Sequence, residues 1–209
     1  MPALTKIDEP LLREHSSLSQ GDDCYFLLEY TAHSSIQQSP DNTFITNLKK
    51  KPDRKNKWEW PYKEWTIQQL AAELATALPT LIDFPTTTLI PIPPSRIRTS
   101  PLYDDRVLQV LRQACPADAD IREPIVCRED RLAAHHSQEH DRPAINDLMD
   151  NYSWLEGAHP LRPNTVLFDD VITSGNHYIA CKRFVLQHHP ATRVTGIFIA
   201  RRALKRPRP

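Results

Sequence analysis

Two adjacent acids, Asp169 and Asp170, stand just ahead of a short polar run, Thr173-Ser174-Gly175-Asn176-His177. Carboxylate oxygens hold sugar hydroxyls or a divalent cation such as Mg2+. The Thr and Ser hydroxyls are donors, and glycine lets a backbone approach a ligand closely. If this run opens a helix, the free N–H groups of the first turn attract an anion. Acids that serve hydroxyls beside a loop that serves an anion suit a sugar phosphate.

That chemistry requires a strand, a tight loop and a helix in succession. Val166-Leu167-Phe168 lead into the acids and Val171-Ile172 follow, the pattern of a buried strand. Beyond the loop, Ala180, Cys181, Phe184, Val185 and His188 share one helical face. The chain has only 4 glycines in 209 residues, which makes Gly175 at the tightest point of the loop more informative.

The run from Thr165 to His177 resembles the phosphoribosyl diphosphate (PRPP) motif of type I phosphoribosyltransferases: apolar residues, two acids, two apolar residues, then a Thr/Gly loop. The resemblance implies that Asp169 and Asp170 hold the ribose hydroxyls and Mg2+. It also implies that Thr173, Ser174, Gly175, Asn176 and His177 wrap the 5′-phosphate. His177 stands where that family has Thr or Ser, and a histidine at a helix N-terminus donates to phosphate when protonated.

A second anion loop follows another β-branched run. Thr86-Thr87-Thr88-Leu89-Ile90 reads as the first core strand and passes into Pro93-Pro94-Ser95-Arg96-Ile97-Arg98. Prolines followed by basic residues are similar to the pyrophosphate loop of the ComF-like branch of the same family. Ser95, Arg96 and Arg98 are then the pyrophosphate contacts, since guanidinium forks match phosphate oxygens. Ser100 and Pro101 read as the N-cap and first residue of a helix carrying Val107, Leu108 and Leu111. Pro124-Ile125-Val126-Cys127 reads as the second core strand.

Residues 128–150 carry many charges and few large apolar side chains, which predicts a mobile loop rather than a packed helix throughout. In the ComF-like branch the matching loop brings an arginine over PRPP, and Arg142 is the preferred carry-over, with Arg131 and His136 behind it. His136 and His140 are four apart, but no third metal ligand stands at a fixed spacing from them. The zinc-binding Cys module that often precedes this domain in ComF relatives is missing.

Towards the N-terminus the signals are weaker. Residues 1–20 show no functional pattern. Cys24 to Thr31 reads as a strand, and Phe44-Ile45 as part of a small β element. A basic run, residues 47–57, precedes Trp58, Trp60, Tyr62 and Trp65. Such a combination either binds a nucleobase or single strand by stacking, or is a solvated hairpin whose aromatics cover the core. Thr66 and Gln69 read as a capping box opening a helix with Ile67, Leu70, Ala71, Leu74 and Leu78 on its apolar stripe.

Lys and Arg number 26 against 26 Asp and Glu, so no global field steers nucleic acid or an anionic membrane. Cys24, Cys115, Cys127 and Cys181 show no Cys-x-x-Cys spacing and read as reduced thiols. Asp8, Glu9 and Pro10 stand where a signal peptide would need an apolar run, and no stretch approaches the roughly 18 apolar residues of a membrane span. A cytoplasmic protein is expected, with no membrane partner.

The expected architecture is an α/β fold: a mainly parallel Rossmann-like sheet with helices on both faces, the type I phosphoribosyltransferase fold, plus a small N-terminal hood. Residues 1–80 would form the arm and hood, and residues 81–209 the core with a basic C-terminal tail. The resemblance implies a Mg2+-dependent transferase acting on PRPP and a nucleobase-like acceptor. The alternative is a non-catalytic nucleotide-binding regulator, with the basic segments 49–57 and 201–208 touching nucleic acid or a protein partner. Either form is compatible with an oligomer.

Overall fold

In a computed structural model, which describes residues 3–31, 40–131, 143–155 and 160–204, the apolar runs become the centre of a six-stranded sheet. Its strands are β1 (Thr5–Lys6), β2 (Cys24–Tyr30), β3 (Thr87–Pro91), β4 (Asp120–Ile121), β7 (Asn164–Ile172) and β8 (Arg193–Arg202). Their order is β1-β2-β8-β7-β3-β4. β1 runs antiparallel to β2, and every other neighbouring pair is parallel. Near-continuous burial along β3, β7 and β8 is what a parallel strand covered on both faces requires.

Alternate residues of these strands feed two cores. On one face Ile90, Leu167 and Phe198 pack with Leu148 of α5 (Ile145–Asp150) and with Tyr178, Cys181 and Val185 of α6 (Asn176–His188). On the other, Leu89, Val166, Phe168 and Ile199 meet α2 (Pro40–Leu48), α3 (Trp60–Ala77) and α4 (Arg106–Ala114). The α/β architecture with a mostly parallel sheet is therefore as expected. Among the described residues no helix is long and apolar enough to cross a membrane. The four cysteines are free, and burial pushes the thiols of Cys24 and Cys181 up to about 12.

Several local expectations are corrected. Phe44 and Ile45 lie in the helix α2, not a β element: Pro40 starts it, and Ile45 and Leu48 bury the same side. Thr66 does not cap a helix, because α3 begins at Trp60 with Pro61 in its first turn and Thr66 is buried within it. The helix expected from Ser100 begins instead at Arg106. Ile125–Cys127 (β5) is not a core strand; it pairs antiparallel with β6 (Tyr152–Trp154), and the short β4 takes the edge beside β3. Pro124, lacking an N–H, separates the two elements. Within 128–150 the described part contains α5, whose Ile145, Leu148 and Met149 pack on the core. Arg142, His136 and His140 lie outside the described residues, as do tail residues 205–209.

Candidate functional site

β7 carries the acids to the carboxyl end of the sheet, where the neighbouring β3 ends at Pro91 and diverges into the proline-arginine loop. Asp169 and Asp170 are successive on the strand, so their side chains leave on opposite faces. Asp169 lines a cleft of about 580 Å3, counting its open mouth, together with Pro93, Arg96, Arg98, Tyr103 and Arg106. Asp170 turns instead into a chain of charges.

In that chain Arg106 donates from Nε and Nη2 to Asp170 Oδ2 at 2.9 and 2.5 Å, and from Nη1 to Asp104 Oδ2 at 2.6 Å. Lys63, 1% exposed, donates to the same Asp104 oxygen at 2.7 Å and to the carbonyl of Lys50 at 2.7 Å. Lys49 approaches Asp170 Oδ1 at 3.5 Å, and that oxygen also accepts the N–H of Val171 at 2.6 Å. Lys49, Lys63 and Arg106 thus enclose the two carboxylates Asp104 and Asp170.

The two acids diverge electrostatically. Burial alone would raise Asp170, but Lys49 and Arg106 hold it well below the usual carboxylate range. Burial, then the charge of Asp170, pushes Asp169 up to about 7. Asp169 Oδ1 accepts the N–H of Asp170 at 2.7 Å, and its Oδ2 has no partner among the described residues. A half-buried carboxylate with a free oxygen and no cation of its own fits a divalent cation, whereas Asp170 has both oxygens engaged. Of the two acids, Asp169 is therefore the one with an oxygen free to hold a divalent cation.

The loop after β7 turns at Gly175, whose φ of 94° lies in the left-handed region. The N–H groups of Gly175, Asn176 and His177 have no partner among the described residues, and they head the 13-residue helix α6. The strand, tight turn and helix expected from the sequence are thus in place. The side chains are used differently from the expectation. A Cβ on Gly175 would meet Leu18 Cδ2 at 3.0 Å, so Leu18 rather than a ligand approaches that side. Asn176 donates from Nδ2 to the carbonyl of Pro143 at 3.0 Å and accepts from Ser17 Oγ at 2.5 Å, leaving only its backbone for an anion. Thr173 and Ser174, with Arg13, Ser16 and Ser17, line an open hollow at the loop.

His177 is also turned away from the role expected of it. Its Nε2 lies 3.2 Å from Arg131 Nη1, and because a guanidinium has only donors this nitrogen must be the acceptor. Burial, reinforced by Arg131, pushes His177 down to about 3, so the ring is neutral at pH 7. Arg131 Nε and Nη2 are buried with no hydrogen-bond partner among the described residues.

The arginine loop is held from below by β5 and the turn after it. Cys127 Sγ donates to the carbonyl of Pro94 at 3.3 Å, and the N–H of Arg131 donates to the carbonyl of Ser95 at 2.7 Å. Asp130 Oδ1 accepts the N–H of Ile97 at 2.8 Å, and its Oδ2 pairs with Arg96 at 3.1 Å. Arg98 pairs with Glu123 at 3.1 Å. Arg96, Arg98 and Asp169 therefore meet around one cleft, while Ser95 presents a carbonyl to Arg131.

The sequence left two sets of residues unread. Lys49, Lys63, Asp104 and Arg106 had one signal, the charged run Tyr103-Asp104-Asp105-Arg106 ahead of an apolar helix stripe. The other set is a strap at the N-terminus: His15 Nδ1–H donates to the carbonyl of Thr173 at 2.5 Å, and Ser17 N–H donates to that of Ser174 at 2.9 Å. These bonds go to backbone, which leaves no pattern in side-chain types. A scan of the chain against protein-family models gives no match, and a search of the curated proteins likewise finds none.

Proposed function

We propose that this protein is a phosphoribosyltransferase that moves the 5-phosphoribosyl group of PRPP to a nitrogen nucleophile, best represented by a nucleobase, with release of diphosphate. The observation that carries the reading is that two loops leave the carboxyl ends of the adjacent strands β3 and β7: Asp169, Arg96 and Arg98 line one cleft, and the loop after β7 leads through Thr173 and Ser174, beside a separate hollow, to the free N–H groups heading α6. A carboxylate, a cationic loop and a helix N-terminus are the three kinds of group that PRPP needs.

In the reaction the bond between C1 of the ribose and the diphosphate oxygen breaks, and diphosphate leaves with the electron pair. A bond forms from the acceptor nitrogen to C1, and that nitrogen gives up its proton to solvent. Mg2+ would supply charge neutralisation on the departing diphosphate. Arg96 and Arg98 would exchange Asp130 and Glu123 for diphosphate oxygens, stabilising charge as it develops. The α6 N-terminus would fix the 5′-phosphate, and Asp169 would face the ribose hydroxyls and the cation. Arg106 keeps Asp170 ionised and in place.

A second reading, binding without transfer, draws on one specific observation: Asp170 already has both oxygens engaged by Arg106, Lys49 and Val171. Calorimetric titration of PRPP with and without Mg2+, followed by diphosphate release over a set of nucleobases, tests both. Mg2+-dependent binding with base-stimulated release supports the transferase. Binding without release in any mixture supports the regulator, and no binding refutes both.

A further inference from the structure

The start of α3 and the turn before it carry a surface outside the candidate site. Of the five exposed large apolar side chains among the described residues, three are rings in one place: Trp58 at 79%, Tyr62 at 50% and Trp65 at 49% exposure. Trp58, in the turn before α3, meets Tyr62 edge to face at 6.1 Å between centroids. One turn on, Trp65 stacks on Phe44 at 5.7 Å with only 10° between the planes, which fixes its ring as a flat outward platform. Lys50 lies over Tyr62 at 5.4 Å. Trp60, by contrast, is already engaged, donating Nε1–H to Glu64 and lying against buried Lys63.

The same ridge is basic. Lys51, Lys55 and Lys57 are exposed and make no ion pair among the described residues, while Arg54 is taken by Glu59. Fixed ring faces beside free, flexible cations are the two components that bind an unpaired strand: bases stack on the rings and phosphates meet the lysines. A membrane surface fits less well, because the exposed side chains between the rings are Pro61 and Glu64, and no exposed Leu or Ile among the described residues extends the patch. With 26 basic and 26 acidic residues in the chain, any attraction must be local to such a patch.

We propose that the ridge of Trp58, Tyr62 and Trp65, with Lys51, Lys55 and Lys57 beside it, is a binding surface for single-stranded nucleic acid. Its root is close to the candidate site, since Lys49 at the end of α2 reaches Asp170. The surface is independent of phosphoribosyl transfer and does not require that reading to hold.

The test is fluorescence polarisation of labelled 15-nucleotide oligo-dT and oligo-U with the full chain in 50 mM salt, read together with tryptophan quenching. Binding with quenched emission is expected. Its logarithm should fall against the logarithm of salt with a slope of about −2, from about 0.7 per lysine-paired phosphate on a single strand. Trp58→Ala with Tyr62→Ala should weaken binding about tenfold or more, because each stacked base is worth a factor of that order. Lys51→Gln with Lys55→Gln and Lys57→Gln should flatten the slope. All five positions are exposed, and unchanged circular dichroism melts confirm that the variants fold. Absence of binding in 50 mM salt overturns the proposal, as does binding that the ring variants leave unchanged. Binding to anionic phosphatidylserine vesicles in place of oligonucleotides also overturns it.

Discussion

Replacing Asp169 and Asp170 by asparagine one at a time separates two residues that the sequence presents as an equivalent pair. Asp170 has a guanidinium on one oxygen and Lys49 near the other, and it is 6% exposed. Removing one partner of a buried ion pair costs about 3–5 kcal/mol, and a single hydrogen bond to a charged group is worth about 1.5–3 kcal/mol. Asparagine keeps one oxygen for Arg106, and Asp104 still holds the guanidinium, so Asp170→Asn should cost about 2–4 kcal/mol. Asp169 has no cation of its own, and its carboxyl is pushed up to about 7 by burial and by Asp170. A neutral amide removes an ionisation the fold opposes, so Asp169→Asn at pH 8 should stay within about 0.5 kcal/mol of the parent or exceed it. Urea unfolding at pH 8, followed by tryptophan fluorescence, resolves these outcomes. With a slope of about 2 kcal/mol per molar urea, Asp170→Asn moves the midpoint down by about 1–2 M and Asp169→Asn leaves it in place. Equal shifts, or a larger loss at Asp169, would refute the assignment of Asp170 to the charge chain. PRPP binding, measured where both variants are folded, should fall in each.

Three further outcomes follow from the loop and the strap. Gly175→Ala places a Cβ at a φ of 94° and 3.0 Å from Leu18; a loss of about 2 kcal/mol is expected, of which Leu18→Ala restores only the contact part, and a neutral Gly175→Ala would sink the backbone argument. His177, pushed down to about 3 in the fold from an ordinary 6.5, lets the unfolded chain bind the proton first. Its contribution is therefore complete above about pH 6.5 and is lost as pH falls towards about 3; His177→Gln should flatten that acid slope in denaturation curves, and an unchanged slope would show that the ring is already charged. Ser17→Ala removes the hydroxyl that holds Asn176 and should cost about 1 kcal/mol and weaken inorganic phosphate binding measured by calorimetry; full phosphate affinity would detach the strap from the anion loop.

Legibility in the sequence tracked whether burial or specific pairing decided each element. β7, β8 and α6 were readable because a continuous apolar run fills the middle of each doubly covered strand and apolar residues share one face of the helix. β5 was misplaced because Ile125-Val126-Cys127 is apolar enough for any strand, and only its pairing with Tyr152–Trp154 decides its sheet. Thr66 imitated a cap because the earlier start of α3 rests on Pro61 and tertiary packing rather than on a capping residue. In the site, the acids and the glycine loop were legible from spacing. Arg106 and Lys63 were not, since a cation's partner 64 or 41 positions away leaves no local pattern.

Those distant pairings decide how the N-terminal third relates to the acids. Lys49, in the turn after α2, approaches Asp170, and Lys63 of α3 is buried with its charge paired to Asp104. The carboxylates in turn need those cations, because burial alone would protonate Asp170. From the other side, His15 and Ser17 tie the strap to the carbonyls of the anion loop, and Arg201, 2% exposed, binds Glu14 and Glu29 to fasten the strap to β8. The end of β7 is thus closed by two N-terminal elements that are each fixed by charge rather than by apolar contact alone. On the proposed function, a phosphorylated ligand entering there would add negative charge among Lys49, Arg96, Arg98 and Arg106 and would compete with Asp130, Glu123 and Asp170 for the same cations. Such a ligand would have to rearrange ion pairs already made, and one that brings its own divalent cation would satisfy Asp169 while it takes the arginines.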